Sequence, residues 1–251
     1  MAQPSEQRAL PADLAEALGL LTRLPVPVHS PRGAASAWAW PVAGLAIALL
    51  TGMVAAIALR LDLRPELAAG VALAAQIALS GGLHEDGLAD TADGFWGGSA
   101  PARRLEIMKD SRIGSYGVIA LVLSLGLRWQ ALSLLFASGH VAAPLVAAAV
   151  LSRGTMAVLM SALPNARGEG LSASVGRPSQ GTALLAVGVA LALSLAAVGW
   201  AILGPLLWLA LATIGLAGLA RAKIGGQTGD VLGASQQIGE VAVLIALASA
   251  L

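Results

Sequence analysis

The sequence predicts an all-α, polytopic membrane helix bundle, on three observations. Of its 251 residues, 57% are apolar and only 12% charged, and the mean hydropathy is +0.79. A water-soluble domain carries about 25% charged residues, so this chain lacks the charge to cover an aqueous surface, and lipid must be part of its solvent. The apolar residues also fall into runs near the roughly 20 that a helix needs to cross a bilayer core. Polar residues, finally, gather in the connections, as they must where lipid offers backbone groups no partner.

The elements follow in order. The first span is 38–59 and the second, shorter one 67–83; the third, 116–138, carries Arg128 and Trp129 near its end, suited to an interfacial anchor. The fourth, 141–163, encloses Arg153, which is costly in lipid and must face the bundle interior. Spans 182–203 and 206–220 are separated by a sharp turn at Gly204-Pro205, and 238–251 is a short last one. The expectation is seven spans, with six as the alternative. The length suits one domain, 1–251. Residues 1–35 mix charges of both signs with several prolines and do not read as a cleavable signal.

Lys and Arg set the orientation. With the connection after the second span inside, Arg8, Arg23, Arg32, Arg103, Arg104, Lys109, Arg112, Arg167, Arg177, Arg221 and Lys223 all lie inside, eleven cations against Arg60, Arg64 and Arg128 outside. The N-terminal segment 1–35 and a catalytic loop or helix at 84–115 are then cytoplasmic, and the expected address is the inner (plasma) membrane. A net charge of +1 gives no field for nucleic acid, and the absence of cysteine excludes disulfides and thiolate–metal sites. Membrane lipid is the expected surroundings, and a homo-oligomer is left open.

The richest segment runs Gly81-Gly82-Leu83-His84-Glu85-Asp86-Gly87-Leu88-Ala89-Asp90-Thr91-Ala92-Asp93-Gly94-Phe95, with four carboxylates inside nine residues. On a helix, Asp90 falls about 40° from Asp86 and Asp93 about 20° to the other side, so the three share one stripe; Glu85 projects about 100° away. Like charges on adjacent turns destabilise a helix, and a bound Mg²⁺ or Mn²⁺ removes the conflict, because hard cations take oxygen ligands and Mg²⁺ bridges carboxylates to phosphates. The blander reading is a solvated, N-capping acidic loop. EF-hand spacing is absent.

The neighbouring stretch, 103–117, holds Lys109, Asp110, Ser111 and Arg112. Its cations are either membrane anchors or grips for phosphate; Ser111 and the backbone of Gly114 and Gly117 would let a phosphate close, and Asp110 would serve as ligand or base. Asn165-Ala166-Arg167-Gly168-Glu169-Gly170 reads alone as a charged turn. Gly225-Gly226-Gln227-Thr228-Gly229-Asp230 is Gly-rich but lacks the lysine of a P-loop, and Asp230 is its functional candidate. Of the three histidines, only His84 sits where chemistry is expected.

Together these segments resemble the cobalamin synthase family, the adenosylcobinamide-GDP ribazoletransferases. The resemblance is carried in family order by Leu21-Thr22-Arg23-Leu24-Pro25-Val26-Pro27, the 82–94 segment, Met108-Lys109-Asp110-Ser111-Arg112-Ile113-Gly114, the 166–170 segment and Thr228-Gly229-Asp230-Val231-Leu232-Gly233-Ala234. Family members often have an apolar residue where Glu85 stands, which sets it apart from the aspartates. The resemblance implies transfer of adenosylcobinamide phosphate from adenosylcobinamide-GDP to α-ribazole or its 5′-phosphate, with GMP released, a Mg²⁺ requirement and membrane residence. Asp86, Asp90 and Asp93, with Glu85, are then the metal ligands and Asp110 a further catalytic candidate. Lys109, Ser111, Arg112, Arg167, Glu169 and Asp230 are the substrate-binding ones. Asp86-Gly87-Leu88-Ala89 also echoes the CDP-alcohol phosphotransferases, but Asp90 stands where they carry arginine. A transporter is the rival class; its ionisable groups would lie near the midplane of repeated halves, and no halves repeat here.

Overall fold

The computed structural model describes residues 9–251, and every regular element among them is a helix. Arg8, one of the expected inner cations, lies outside the described residues. The helices are α1 (Ala9–Leu21), α2 (Trp40–Arg60), α3 (Pro65–Ser80), α4 (Leu83–Gly97), α5 (Pro101–Ile107), α6 (Ser115–Ala137), α7 (Ala142–Ala162), α8 (Leu171–Val175), α9 (Gln180–Val198), α10 (Leu203–Ile224) and α11 (Gly229–Ala248). Five helical runs are long and apolar enough to cross a membrane: Gly33–Arg60, Ser115–Ala137, Ala142–Ala162, Gln180–Ile224 and Gly229–Ala248. The bent pair α3–α4 makes a sixth if it counts as one crossing. The chain is a helical membrane protein.

Three boundaries differ from expectation, each for a local reason. The two spans expected either side of Gly204-Pro205 form one helical run of 45 residues, more than twice the length of a single crossing. The chain reverses at Gly199, where φ is +58°; Pro205 lies in the first turn of α10, where its missing N–H is not needed. Both ends of the run return to the same end of α7: Arg177 Nε donates to the Ser161 carbonyl at 2.7 Å, and the Gln227 N–H to that of Pro164 at 2.8 Å. The second span does not continue straight into the acidic segment. Gly81 and Gly82 both adopt left-handed backbone, at φ +67° and +70°, and α4 leaves α3 at 88°. The last span begins at Gly229 rather than 238, because Ser235, Gln236, Gln237 and Glu240 are buried inside the bundle.

α7 is the central helix, packed by α2, α9 and α11. A Cβ on Gly44 would come within 2.6 Å of the Ala149 carbonyl, so the α2 and α7 backbones touch, as helices in lipid do where small residues allow dense packing. Arg153 faces the interior, 1% exposed, as a charge in a span must. Arg128 is also wholly buried, which overturns its reading as an interfacial anchor: its Nη2 lies 3.0 Å from Glu85 Oε1 and its Nη1 3.7 Å from Glu240 Oε1. Trp129 does suit the anchor position, half exposed and donating through Nε1 to the Glu66 carbonyl at 2.7 Å.

Candidate active site

α4 runs back along α6, with Glu85 opposite Arg128 at one end and Asp93 opposite Gly114 and Gly117 at the other. Its acidic stripe therefore climbs from the interior toward the connections. A second close approach fixes it against α11: a Cβ on Gly87 would meet the Asp230 carbonyl at 2.8 Å, and one on Gly233 would meet the Gly87 Cα at 3.3 Å. These paired glycines bring Asp86 beside Asp230, so that Asp230 acts through space on Asp90 together with Asp86, Asp93 and Arg167.

The four carboxylates of the acidic segment have four different surroundings. Asp86 is exposed, and Asp90 is half-buried; neither forms an ion pair among the described residues. Asp93 is buried, and accepts from the N–H of Gly114 at 2.7 Å and of Gly117 at 2.9 Å. It thus satisfies two orphan donors at the start of α6, where a negative charge also complements the helix dipole. Those two glycines, expected to admit a phosphate, admit this carboxylate: a Cβ on either would lie within 2.5 Å of it. Glu85 turns into the bundle, where Oε1 accepts from Arg128 and from Gln237 Nε2 at 3.1 Å.

The substrate-binding candidates lie on the connections. The loop 164–170 is pinned to 225–228 by the Ala166 N–H on the Gln227 carbonyl and the Gln227 N–H on that of Pro164, each 2.8 Å. Gly226 permits this approach, since a Cβ there would overlap the Pro164 carbonyl. Within the loop, Asn165 Oδ1 accepts from the Arg167 and Gly168 N–H groups at 3.0 and 2.7 Å. Arg167 Nη2 donates to Asp230 Oδ2 at 2.9 Å and, among the described residues, its Nε is left without a partner. Thr228 caps α11 and also donates to Asp230 Oδ2 at 3.2 Å.

Lys109 pairs with Glu169, tying the α5–α6 connection to the same loop. That hydrogen bond holds the Glu169 carboxyl below its usual range. Asp110 and Arg112 lock each other instead, with Arg112 Nη2 2.6 Å from Asp110 Oδ2, and the hydrogen bonds from Arg112 pull the Asp110 carboxyl down to about 2. Both are solvent-exposed, as is Ser111.

A cleft collects three of the sequence segments. Its rim carries Asp86, Arg167, Glu169 and Asp230, and its deeper wall Leu21, Trp40, His84, Met156 and Met160. Asp90, Asp93, Lys109, Asp110, Ser111 and Arg112 are not part of that lining. Among the described residues no three carboxylate or histidine groups converge to cage a metal ion. The oxygens on offer are those of Asp86, Asp90 and Asp230, an open set of hard donors. The apolar wall carries no sequence signal, because Trp40, Met156 and Met160 are ordinary residues of spanning helices. The support of the 22–38 connection was also unreadable: buried Asp13 accepts from Arg32 Nε at 2.6 Å and Trp38 Nε1 at 2.9 Å.

A family model described as cobalamin-5-phosphate synthase matches residues 13–248. An adenosylcobinamide-GDP ribazoletransferase of Bradyrhizobium diazoefficiens is 48% identical over 244 residues, 95% of this chain and 94% of the relative. Similar proteins of that name come from Mesorhizobium japonicum, 47% identical over 95% of this chain and 93% of the relative, and from Brucella anthropi, 44% identical over 98% and 100%. No solved structure matches the chain.

Proposed function

The chain belongs to the cobalamin-5-phosphate synthase family, and from that premise we propose that it joins adenosylcobinamide-GDP to α-ribazole or its 5′-phosphate, releasing GMP. The observation that carries the reading is the cleft, where Asp86, Arg167, Glu169 and Asp230 meet from three segments distant in sequence. An anionic diphosphate needs cations and a metal-holding oxygen set side by side, and few other substrates need both.

In the proposed reaction a ribazole hydroxyl oxygen forms a bond to the phosphorus that bears cobinamide. The bond from that phosphorus to the GMP oxygen breaks, and GMP leaves with the electron pair. The hydroxyl proton passes to a carboxylate of the stripe, and Asp86 is the one of these that lines the cleft. Arg167 holds the diphosphate with its unpartnered Nε, and Lys109 reaches it by exchanging its bond to Glu169. Asp93 and Glu85 keep the acidic helix in position.

Magnesium belongs to the proposal. Mg²⁺ typically keeps several waters and is bound by one or two carboxylates plus substrate phosphates, so an open oxygen set fits it better than a closed cage. Two of these carboxylates, Asp90 and Asp230, would hold it, and it would neutralise charge developing on the phosphates. The proposed address is the inner membrane with the cleft facing the cytoplasm, on the strength of eleven cations against the few on the other side. The test is purified protein in detergent with adenosylcobinamide-GDP, α-ribazole and Mg²⁺. Cobalamin and GMP should appear in equal amounts. GMP released at the same rate without ribazole, or no product from folded protein, would overturn the reading.

A further inference from the structure

Two residues of the cleft's deep wall each carry a polar atom that the mechanism does not use. Trp40 and His84 are 2% and 1% exposed, both line the cleft, and among the described residues Trp40 Nε1 and His84 Nε2 have no hydrogen-bond partner. A buried donor left unmade costs about 1–3 kcal/mol, and such exceptions in a folded protein call for an explanation. Around them the wall is apolar: Leu21, Leu83, Met156 and Met160. Methionine sulfurs make favourable contacts with aromatic rings and adapt to their shape, and a pocket that is mostly apolar with a few placed polar groups is the usual form of a small-molecule site.

We propose that this wall is the subsite for the base of the acceptor nucleoside: a flat, largely apolar heteroaromatic ring with one unprotonated nitrogen, of the benzimidazole type. The inference rests on the reaction proposed above. The indole N–H of Trp40 donates to the ring nitrogen, and His84 Nε2 pairs with a hydroxyl of the attached sugar. Guanine is a poor match, because its N7, O6 and amino group outnumber the polar atoms on this wall and would be buried without partners. The guanine nucleotide therefore lies toward the charged rim, and its diphosphate meets Arg167 and the carboxylates there. This arrangement sets the nucleoside hydroxyl deep and the phosphorus above it, so attack proceeds from the membrane side of the cleft outward.

The experiment measures equilibrium binding of α-ribazole alone, and of GMP alone, to the full-length protein in detergent. Trp40→Phe keeps the ring and removes the N–H; His84→Leu keeps the bulk and removes both nitrogens. Each should weaken α-ribazole by about three- to tenfold, the value of one net hydrogen bond, and leave GMP unchanged. Because Trp40→Phe deletes an orphaned donor, the melting temperature of the empty protein should stay level or rise, which a merely structural role would not produce. Unchanged α-ribazole affinity in both variants overturns the proposal, as does wild-type protein that shows no saturable α-ribazole binding. A loss confined to GMP also overturns it, by seating guanine on the wall. Weakened ribazole binding in a protein that never releases GMP would sink the reaction and leave the subsite; normal binding by both variants of an active transferase would do the reverse.

Discussion

At the scale of single residues, three aspartates of one stripe separate into two kinds. Asp86 and Asp90 form no ion pair among the described residues, whereas both oxygens of Asp93 accept backbone N–H bonds from α6. Asp86→Asn and Asp90→Asn should therefore each lower the rate of GMP release by about 10²–10³, the usual loss on removing one electrostatic stabiliser, with unchanged melting behaviour. Near-normal turnover by both would end their assignment as metal and proton-handling residues. Asp93→Ala should act first on the fold, costing about 1–2 kcal/mol as the loss of a helix cap does, seen as a lower melting temperature in detergent. Lys109→Ala should raise the KM for the diphosphate substrate more than it lowers kcat; a KM equal to wild type would return Lys109 to a purely structural tie. That tie has a pH range. Glu169 is held below its usual value, so the pairing is present above the ordinary glutamate range and lost as pH falls through the depressed value; at neutral pH it is intact.

At the scale of elements, the site depends on how closely α4 approaches α11. A Cβ on Gly87 would meet the Asp230 carbonyl at 2.8 Å and the Gly233 Cα at 3.2 Å, and both are backbone atoms that a rotamer change cannot move. Gly87→Ala should push the helices apart and displace Asp86 from Asp230. A shift of about 1 Å in a reacting constellation costs about 10²-fold, so kcat/KM should fall that far while the protein still inserts and purifies. Activity within threefold of wild type would mean that the spacing is not critical. The stripe itself was legible in the sequence, because Asp86, Asp90 and Asp93 repeat at helical spacing whatever surrounds them. The bend at Gly81-Gly82 was not: a helix also ends or continues through glycine, and only packing against α6 and α11 decides. The reversal at Gly199 was hidden for the same reason, since Gly204-Pro205 is the stronger local signal and loses to tertiary geometry.

At the scale of the molecule, an ionic cluster ties the bundle together and places the site. Glu85 from α4, Arg128 from α6, Arg153 from α7 and Glu240 from α11 are each at most 9% exposed. Gln76, Gln236 and Gln237 complete it, with Gln76 and Gln236 on Glu240 and Gln237 on Glu85. Two positive and two negative groups leave the cluster neutral, which is what allows it inside an apolar bundle. Its members come from helices far apart in sequence, so Arg128 alone looked like an anchor and Glu85 like a metal ligand. The cluster predicts a specific pattern of non-additivity. Arg128→Met leaves one uncompensated carboxylate in the core and should lower unfolding free energy by about 3–5 kcal/mol, as breaking a buried pair does. Adding Glu85→Met restores neutrality, with Arg153 and Glu240 remaining, and should recover most of that loss. Denaturant unfolding of the single and double variants in mixed micelles reads this directly as a coupling energy. If the double variant instead loses the sum of its two single losses, the pair holds nothing in common, and the placement of α4 must come from its glycine contacts alone.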